Sequence, residues 1–284
     1  MTLTPTAALL DEAAAAHRGI GAFNVLHLET AEGLVAAAEQ ARRPVILQIS
    51  ENCVGYHGAL DPIALATLAI AEASSARVAV HLDHAEDPEL AIRAIDLGFG
   101  SVMYDGATLD FADNVASTRR VVAHAASAGV LVEAELGEIG GKDGAHAPGV
   151  RTDPDEAARF VAETGVGALA VAVGSSHAMT RRDAAIDLDL IGRLREAVPV
   201  PLVLHGSSGV SDELIADGIR AGLVKVNVST HLNVQFTGAI RRYLVANPAT
   251  VDSRKVLAAG RDALAAEAAR LLELFGSAGK DRTR

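Results

Sequence analysis

The chain has 284 residues, the usual size of one α/β barrel, and no linker or composition break divides residues 1–284 into more than one domain. Its 25 basic and 36 acidic residues give a formal charge of −11, which argues against nucleic acid or an anionic membrane as a partner. The single cysteine, Cys53, excludes an intrachain disulfide, and no apolar run reaches ~18 residues. We therefore expect a soluble, cytoplasmic protein.

Eight short runs rich in apolar, β-branched residues predict strands, and a segment with helical spacing of apolar residues follows each of them. An amphipathic helix is predicted first, over residues 4–17. The strands are predicted at residues 19–25, 44–50, 78–83, 101–106, 130–137, 168–174, 201–206 and 223–230. Alternating strands and helices favour a parallel sheet, and eight units favour a single (β/α)8 barrel with a C-terminal helical extension. The alternative is a doubly wound open sheet, but no glycine-rich dinucleotide turn follows the first strand.

Prolines and glycines mark the predicted helix ends. At three helix starts an aspartate precedes a proline, which places an N-cap acceptor before a residue suited to the first helical position. These pairs are Asp61-Pro62, Asp87-Pro88 and Asp153-Pro154. Four helix ends are predicted at glycines, which readily adopt the conformation that ends a helix. These glycines are Gly98, Gly129, Gly165 and Gly222.

The longest irregular connection covers residues 138–153 and reads EIGGKDGAHAPGVRTD. Connections of this length are typically functional or disordered. This one follows the fifth strand, so it is expected at the carboxyl-terminal face, where barrel enzymes keep their active sites. We predict that it forms a mobile lid.

Three histidines stand at the carboxyl ends of different predicted strands. His84 follows the third strand, His177 follows the sixth, and His205 ends the seventh. Because these strand ends converge on one mouth of the barrel, the three side chains are predicted to meet there. Three neutral imidazoles that leave one position open are typical of a catalytic zinc site. The residues alone therefore favour bound Zn²⁺ or another divalent ion.

Carboxylates gather at the same mouth. Asp83 directly precedes His84 and is the predicted general acid or base, while Asp105 ends the fourth strand. Glu133 and Glu135 lie two apart on the fifth strand, so both point to one face of it. Charges in such a place must be paired, bound to metal or neutralised. For Glu133, a salt link inside the barrel and a role at the site are equally open.

The other half of the mouth predicts a phosphate site. The seventh strand runs into HGSSG at residues 205–209, which offers backbone N–H groups and two hydroxyls. The eighth strand ends in NVST at residues 227–230 and leads into a helix start. Loops after the seventh and eighth strands are the recurrent phosphate site of this architecture.

Seven segments, taken in order, resemble the class II ketose-bisphosphate aldolases, which are the metal-dependent fructose- and tagatose-bisphosphate aldolases. They are GAFNV, HLDH, SVMYDGA, VEAELGEIGG, AVAVGSSHAM, LVLHGSSG and KVNVST, and the likeness runs over residues 4–275. The resemblance implies a lyase that reversibly cleaves fructose 1,6-bisphosphate into dihydroxyacetone phosphate and glyceraldehyde 3-phosphate. It also implies a zinc ion, a monovalent cation near the phosphate, and a homo-oligomer of two or four chains.

The resemblance further implies roles for single residues. The zinc ligands are His84, His177 and His205, with Glu135 and Asp105 lining an alternative metal position. Asp83 handles the proton of the C4 hydroxyl of the substrate. The implied substrate-binding residues are Asn24, Ser50, Gly206, Ser208, Asn227, Ser229, Thr230 and Arg254. The family's loop glutamate, which protonates the carbanion, has no direct counterpart in residues 140–144, so Asp143 or Glu138 is the implied substitute.

Departures from the family pattern leave the substrate open. Ala178 replaces a glycine, Ser229 stands where aspartate or alanine is usual, and Ser253 replaces a proline. The alternatives are tagatose 1,6-bisphosphate or another phosphorylated keto-sugar, such as a deoxy-ketogluconate phosphate. Rivals of other classes are a metal-dependent hydrolase, a non-catalytic binding protein and a Schiff-base aldolase that uses Lys225. Lys225 has the strand parity of Asn227, so it is predicted to face the barrel interior.

Overall fold

A computed structural model describes residues 3–136, 151–176, 179 and 181–279. Eight parallel strands close into a barrel in sequence order, which confirms the predicted barrel and not the open sheet. The strands are β1 (Ile20–Asn24), β2 (Val45–Ser50), β3 (Val78–Ala85), β4 (Ser101–Tyr104), β5 (Leu131–Leu136), β6 (Ala168–Val171), β7 (Leu202–Leu204) and β8 (Leu223–Val228).

Helices surround the barrel and bury their apolar sides against the outer faces of the strands. In the described part of the chain they are α1 (Thr6–Ala15), α2 (Leu28–Ala41), α3 (Glu51–His57), α4 (Leu60–Ala73), α5 (Pro88–Asp96), α6 (Phe111–Ala128), α7 (Pro154–Thr164), α8 (Leu188–Ala197), α9 (Asp212–Ala221), α10 (Thr230–Ala246) and α11 (Ser253–Ser277). The last of these packs on α2 and α10, and it is the predicted C-terminal extension.

The N-terminal helix α1 closes the amino-terminal end of the barrel. Leu9 and Leu10 are fully buried and pack in one cluster with small side chains of the barrel interior, such as Ala22, Ala79 and Ala170. The backbone N–H of Thr4 donates to the carbonyl of Val78, where β3 begins. Because α1 covers this end, the site is expected at the carboxyl-terminal mouth, where barrel enzymes keep their active sites.

Most of the predicted helix ends are confirmed. Asp87 and Asp153 are N-caps whose carboxylates accept backbone N–H groups, and Gly129, Gly165 and Gly222 follow helices directly. The prediction for Asp61 is wrong, because α4 already begins at Leu60. The Asp61 carboxylate instead accepts hydrogen bonds from the Arg93 guanidinium, so it is committed to an ion pair with the neighbouring helix.

Two further predictions meet the described residues only in part. The predicted lid at residues 138–153 lies outside the described residues except for its last three positions. In the described ranges, no single helix is long and apolar enough to cross a membrane. The pair α3 and α4 passes that test only when taken together across a 112° bend.

Burial raises the pKa of the Cys53 thiol to about 11, so the thiol is protonated and unreactive at neutral pH.

Candidate active site at the barrel mouth

A bulge in β3 brings two neighbouring residues to the same face. In a regular strand Asp83 and His84 would point to opposite faces of the sheet. The register of β3 with β4 shifts between Leu82 and Ala85, where three steps on β3 match two on β4. His84 has φ +52°, in the left-handed region that residues other than glycine rarely adopt. The extra residue therefore lets both Asp83 and His84 face the mouth.

His84 and His205 approach each other at the centre of the mouth. His84 Nε2 lies 2.7 Å from His205 Nδ1. The other nitrogen of each ring contacts a buried carboxylate: His84 Nδ1 lies 2.7 Å from Asp105 Oδ2, and His205 Nε2 lies 2.9 Å from Glu133 Oε1. An ionised carboxylate only accepts hydrogen bonds, so each ring carries its proton on the nitrogen that faces the carboxylate. The two nitrogens that face each other are then both lone-pair donors.

This donor set fits a divalent cation. Two lone pairs directed at each other repel unless a positive centre lies beside them, and carboxylate-bound imidazoles are the common arrangement around protein-bound zinc. Among the residues that the structure describes, two groups of side chains place their ligand atoms within 4.8 Å of one another. They are Asp83, His84 and His205, and His84, Asp105 and Glu135. His177, the third predicted ligand, lies outside the described residues.

The Asp83 carboxylate is held by the amides of three other strands. Asn227 Nδ2 donates to Oδ1 at 3.2 Å, and Gln48 Nε2 donates to Oδ2 at 3.2 Å. Asn24 Nδ2 lies 3.5 Å from the same Oδ2, while its own Oδ1 accepts from Gln48 Nε2 at 2.8 Å. These contacts fix the plane of the carboxylate at the ends of β1, β2 and β8. Among the described residues, Gln48 Oε1 and Asn227 Oδ1 are buried without a hydrogen-bond partner, so both suit a polar ligand.

The electrostatics of the mouth favour an ionised Asp83. Burial raises the pKa of this carboxyl group, but the electrostatic effects of the neighbouring His84, His205 and Lys225 side chains together outweigh burial. The pKa of Asp83 is therefore lower than usual. His81 lies deeper in the barrel, where burial and the nearby Lys225 ammonium lower its pKa far below the ordinary value, so His81 is neutral. An ionised carboxylate beside two imidazoles is suited to accept a proton.

Gln48 is a site residue that the sequence analysis missed, although the strand VILQIS offered a signal. Gln48 is the one amide in a run that is apolar up to Ser50, and it points to the same face of the strand as Ser50.

We expect Gln48→Leu to lower kcat/KM roughly 10–100-fold, because a hydrogen bond to a charged group contributes about 1.5–3 kcal/mol. Steady-state kinetics measures the change, and Gln40→Leu, at an exposed position on α2, is the matched control. Equal kinetics for both variants would show that Gln48 does not hold Asp83.

The loops after β6, β7 and β8 form the other half of the mouth. Gly206 has φ +65°, and a Cβ at this position would lie 2.6 Å from the carbonyl carbon of Ser176, so only glycine fits. Ser208 Oγ accepts a hydrogen bond from the backbone N–H of His231, in the first turn of α10. Ser229 occupies the N-cap position of α10 without a side-chain cap hydrogen bond. The start of α10 and the 3-10 turn Ser207–Gly209 therefore lie side by side.

Three of the remaining predicted residues lie at helix starts. Ser50 caps α3, with its Oγ accepting from the backbone N–H of Cys53. Arg254 lies at the start of α11, where its side chain is 90% exposed and pairs with Asp252. Thr230 is the first residue of α10. The predicted loop acids, Glu138 and Asp143, lie outside the described residues.

A closed parallel barrel whose imidazoles and carboxylates meet at its carboxyl-terminal mouth has the arrangement of a metal-dependent barrel enzyme. The family model "Fructose-bisphosphate aldolase class-II" matches residues 4–280. The chain therefore belongs to the class-II fructose-bisphosphate aldolase family, and it is a lyase of the class II aldolase type. Enzymes of this family depend on a metal.

Individual relatives support this membership. The chain is 37% identical over 284 residues to a fructose-bisphosphate aldolase of Geobacillus stearothermophilus, covering 99% of each chain. It is 36% identical over 275 residues to a 6-phospho-5-dehydro-2-deoxy-D-gluconate aldolase of Bacillus licheniformis, covering 96% of this chain and 94% of the relative. The crystal structure of the YdjI aldolase from Escherichia coli K12 has a TM-score of 0.82 at 31% identity, with 98% and 99% of the chains covered.

Proposed function

We propose that the protein reversibly cleaves fructose 1,6-bisphosphate into dihydroxyacetone phosphate and glyceraldehyde 3-phosphate, with zinc held by His84, His177 and His205. The observation that carries this proposal is the Asp83 carboxylate, which is fixed by Gln48 and Asn227 directly beside the facing nitrogens of His84 and His205. A fixed base next to a cation site is the arrangement that aldol cleavage needs. His177 stays a prediction.

Different groups at the barrel mouth have different roles in the proposed cleavage. A divalent ion at His84 and His205 supplies a Lewis acid for the negative charge that develops as the C3–C4 bond breaks. Asp83 takes the proton of the C4 hydroxyl, so that C4 becomes the aldehyde carbon and the bonding electron pair stays on C3. The amides of Gln48 and Asn227 keep the carboxylate of Asp83 in place during this transfer. The acid that protonates C3 is predicted to be Glu138 or Asp143.

The phosphate of the dihydroxyacetone end is proposed to bind where the 3-10 turn meets α10. The residues are Gly206, Ser208, Ser229 and Thr230, which offer backbone N–H groups and hydroxyls beside the positive end of a 17-residue helix. The close packing of Gly206 on Ser176 supports a rigid pocket. Asn24 and Asn227 are proposed to contact the sugar between this phosphate and Asp83. The roles of Ser50 and Arg254, the monovalent cation and the dimer or tetramer stay predictions.

The Schiff-base alternative requires a neutral amine with access to the substrate. Lys225 is fully buried, and its Nζ donates to Glu133 Oε2 at 2.8 Å. We therefore expect no covalent adduct when the protein is treated with sodium borohydride in the presence of dihydroxyacetone phosphate, as measured by intact mass. A borohydride-dependent mass increase located on Lys225 would contradict the metal mechanism.

The choice of sugar is tested by a coupled cleavage assay on three substrates, because the relatives include aldolases named for different substrates. Fructose 1,6-bisphosphate, tagatose 1,6-bisphosphate and 6-phospho-5-dehydro-2-deoxygluconate are offered to the zinc-loaded protein under equal conditions. We expect the highest kcat/KM with fructose 1,6-bisphosphate. A higher value for either of the others would replace the proposed substrate and keep the aldol chemistry.

A further inference from the structure

Lys225 is buried inside the barrel beneath the mouth, and the proposed reaction gives it no part. It is fully inaccessible to solvent, and its Nζ donates to Glu133 Oε2 at 2.8 Å and lies 3.4 Å from His81 Nε2. Removing a lysine and a glutamate from water costs several kcal/mol for each charge, and an apolar pair of similar volume is often as stable. Stability alone therefore does not explain why the barrel interior contains this pair.

The ion pair lies next to the metal centre. Glu133 uses one carboxylate oxygen for Lys225 and the other for His205, whose Nε2 lies 2.9 Å from Oε1. Both oxygens are thereby committed, and the carboxylate is fixed in one orientation. The hydrogen bond to Glu133 keeps the proton of His205 on Nε2. The lone pair of the ring is therefore on Nδ1, the nitrogen that faces His84.

Lys225 also contacts a set of side chains that lies nearer the closed end of the barrel. Ser101 Oγ donates to Thr6 Oγ1 at 2.8 Å, so the same hydroxyl accepts from His81 Nδ1 at 2.7 Å. With its proton on Nδ1, His81 presents the lone pair of Nε2 to the Lys225 ammonium. A buried polar chain therefore runs from α1 at the closed end of the barrel, through β4, β3, β8 and β5, to His205.

We propose that Lys225 is a positioning residue of the metal centre, which acts through Glu133 to hold His205 with Nδ1 directed at the metal. The proposal rests on the proposed metal centre and adds a residue to it. Lys225 touches neither substrate nor metal, and its effect on His205 passes through one carboxylate. Two consequences follow: loss of Lys225 weakens zinc binding, and the loss has little further effect once Glu133 has been neutralised.

The test is a double-mutant cycle on zinc affinity. Lys225→Met, Glu133→Gln and the double variant are prepared without metal, and the apparent zinc Kd of each is measured by competition with a chromogenic chelator. We expect each single variant to bind zinc roughly 10–100-fold more weakly than the parent, the usual effect of losing a group that orients a metal ligand. The double variant should match Glu133→Gln within about threefold, because the coupled residues are not additive.

Several controls separate positioning from a purely structural role. Lys255→Met removes a lysine from an exposed position and should leave the zinc Kd unchanged. The ¹⁵N shifts of the His205 ring in the apoprotein should report the Nε2-protonated form in the parent and a tautomer mixture in Lys225→Met. If Lys225→Met does not fold because Glu133 is left as an uncompensated charge, the neutral double variant takes its place. A folded double variant whose zinc Kd matches that of Glu133→Gln within about threefold then supports the action of Lys225 through Glu133, and a further loss of roughly 10-fold or more contradicts it.

Three outcomes would overturn the proposal. One is a parent-like zinc Kd in Lys225→Met, or in the double variant that replaces it. Another is a further loss in the double variant equal to the loss in Lys225→Met alone, because Lys225 would then act independently of Glu133. The third is a parent protein that binds no zinc, which would remove the metal centre as well. A parent that binds zinc and cleaves the sugar, with unaffected variants, refutes only the role of Lys225.

Discussion

Asp83→Asn is expected to lower kcat by roughly 10²–10⁴-fold, the usual contribution of a positioned general base. The amide is nearly isosteric with the carboxylate but cannot accept the C4 hydroxyl proton. It also places an NH₂ group against either the Gln48 or the Asn227 donor, which now hold a carboxylate oxygen at 3.2 Å each. Single-turnover cleavage of fructose 1,6-bisphosphate by the zinc-saturated variant measures the loss directly.

The zinc affinity of the same variant decides what Asp83 does. Asp83 lies with His84 and His205 in one group of possible metal ligands, so the structure places it within reach of both roles. If Asp83 is the base, Asp83→Asn keeps the zinc Kd within about threefold of the parent, because no zinc ligand is lost. A zinc Kd that rises in parallel with the loss of kcat would contradict the base and make Asp83 a ligand.

Replacing His84 is expected to abolish zinc binding and to lower cleavage by roughly 10³-fold or more, since the metal contributes several kcal/mol at the developing charge. A comparison of glycine and alanine as the replacement also tests whether the backbone at residue 84 is strained. His84 has φ +52°, and a left-handed conformation costs a non-glycine residue about 1–2 kcal/mol. Without metal, His84→Gly should therefore unfold with a free energy about 1 kcal/mol higher than His84→Ala.

Chemical denaturation of the two metal-free variants measures this difference, and zinc titration shows that both have lost the site. Equal stabilities would mean that the β3 bulge relaxes when the histidine is absent. Zinc binding retained by either variant, at the affinity of the parent, would contradict the assignment of His84 as a ligand. If His84→Gly is the more stable variant and both variants have lost zinc, the left-handed conformation of His84 is explained by its function, since strained backbone concentrates at functional sites.

Much of the fold followed from local patterns. The eight apolar runs matched the strands closely, because each barrel strand is covered on both sides and needs no alternation. Asp87 and Asp153 were identified as N-caps because their carboxylates accept backbone N–H groups of the helix that directly follows, a contact that the local pattern predicts. Asp61 was misplaced because its tertiary ion pair with Arg93 is invisible in a local pattern.

The site was harder to predict, since its geometry depends on contacts between distant strands. The order of strand ends predicted that His84 and His205 meet, and the parity of Lys225 with Asn227 correctly placed both inside the barrel. Nothing local indicated the bulge that turns Asp83 and His84 to one face. The partners of Glu133, which are His205 and Lys225, lie 72 and 92 residues away in sequence, so the two interpretations of Glu133 could not be separated. The salt link of Glu133 with Lys225 is confirmed, and its role at the site, through His205, stays a proposal.

Removal and return of the metal ion, followed by one cleavage assay, tests whether aldol cleavage by this protein depends on a metal. The protein is dialysed against EDTA, freed of chelator, and assayed on fructose 1,6-bisphosphate before and after one equivalent of zinc. We predict that cleavage is lost on chelation and restored by zinc, with the far-UV circular dichroism unchanged because the barrel core does not need the ion. Cleavage that survives complete removal of metal would contradict the site built on His84 and His205.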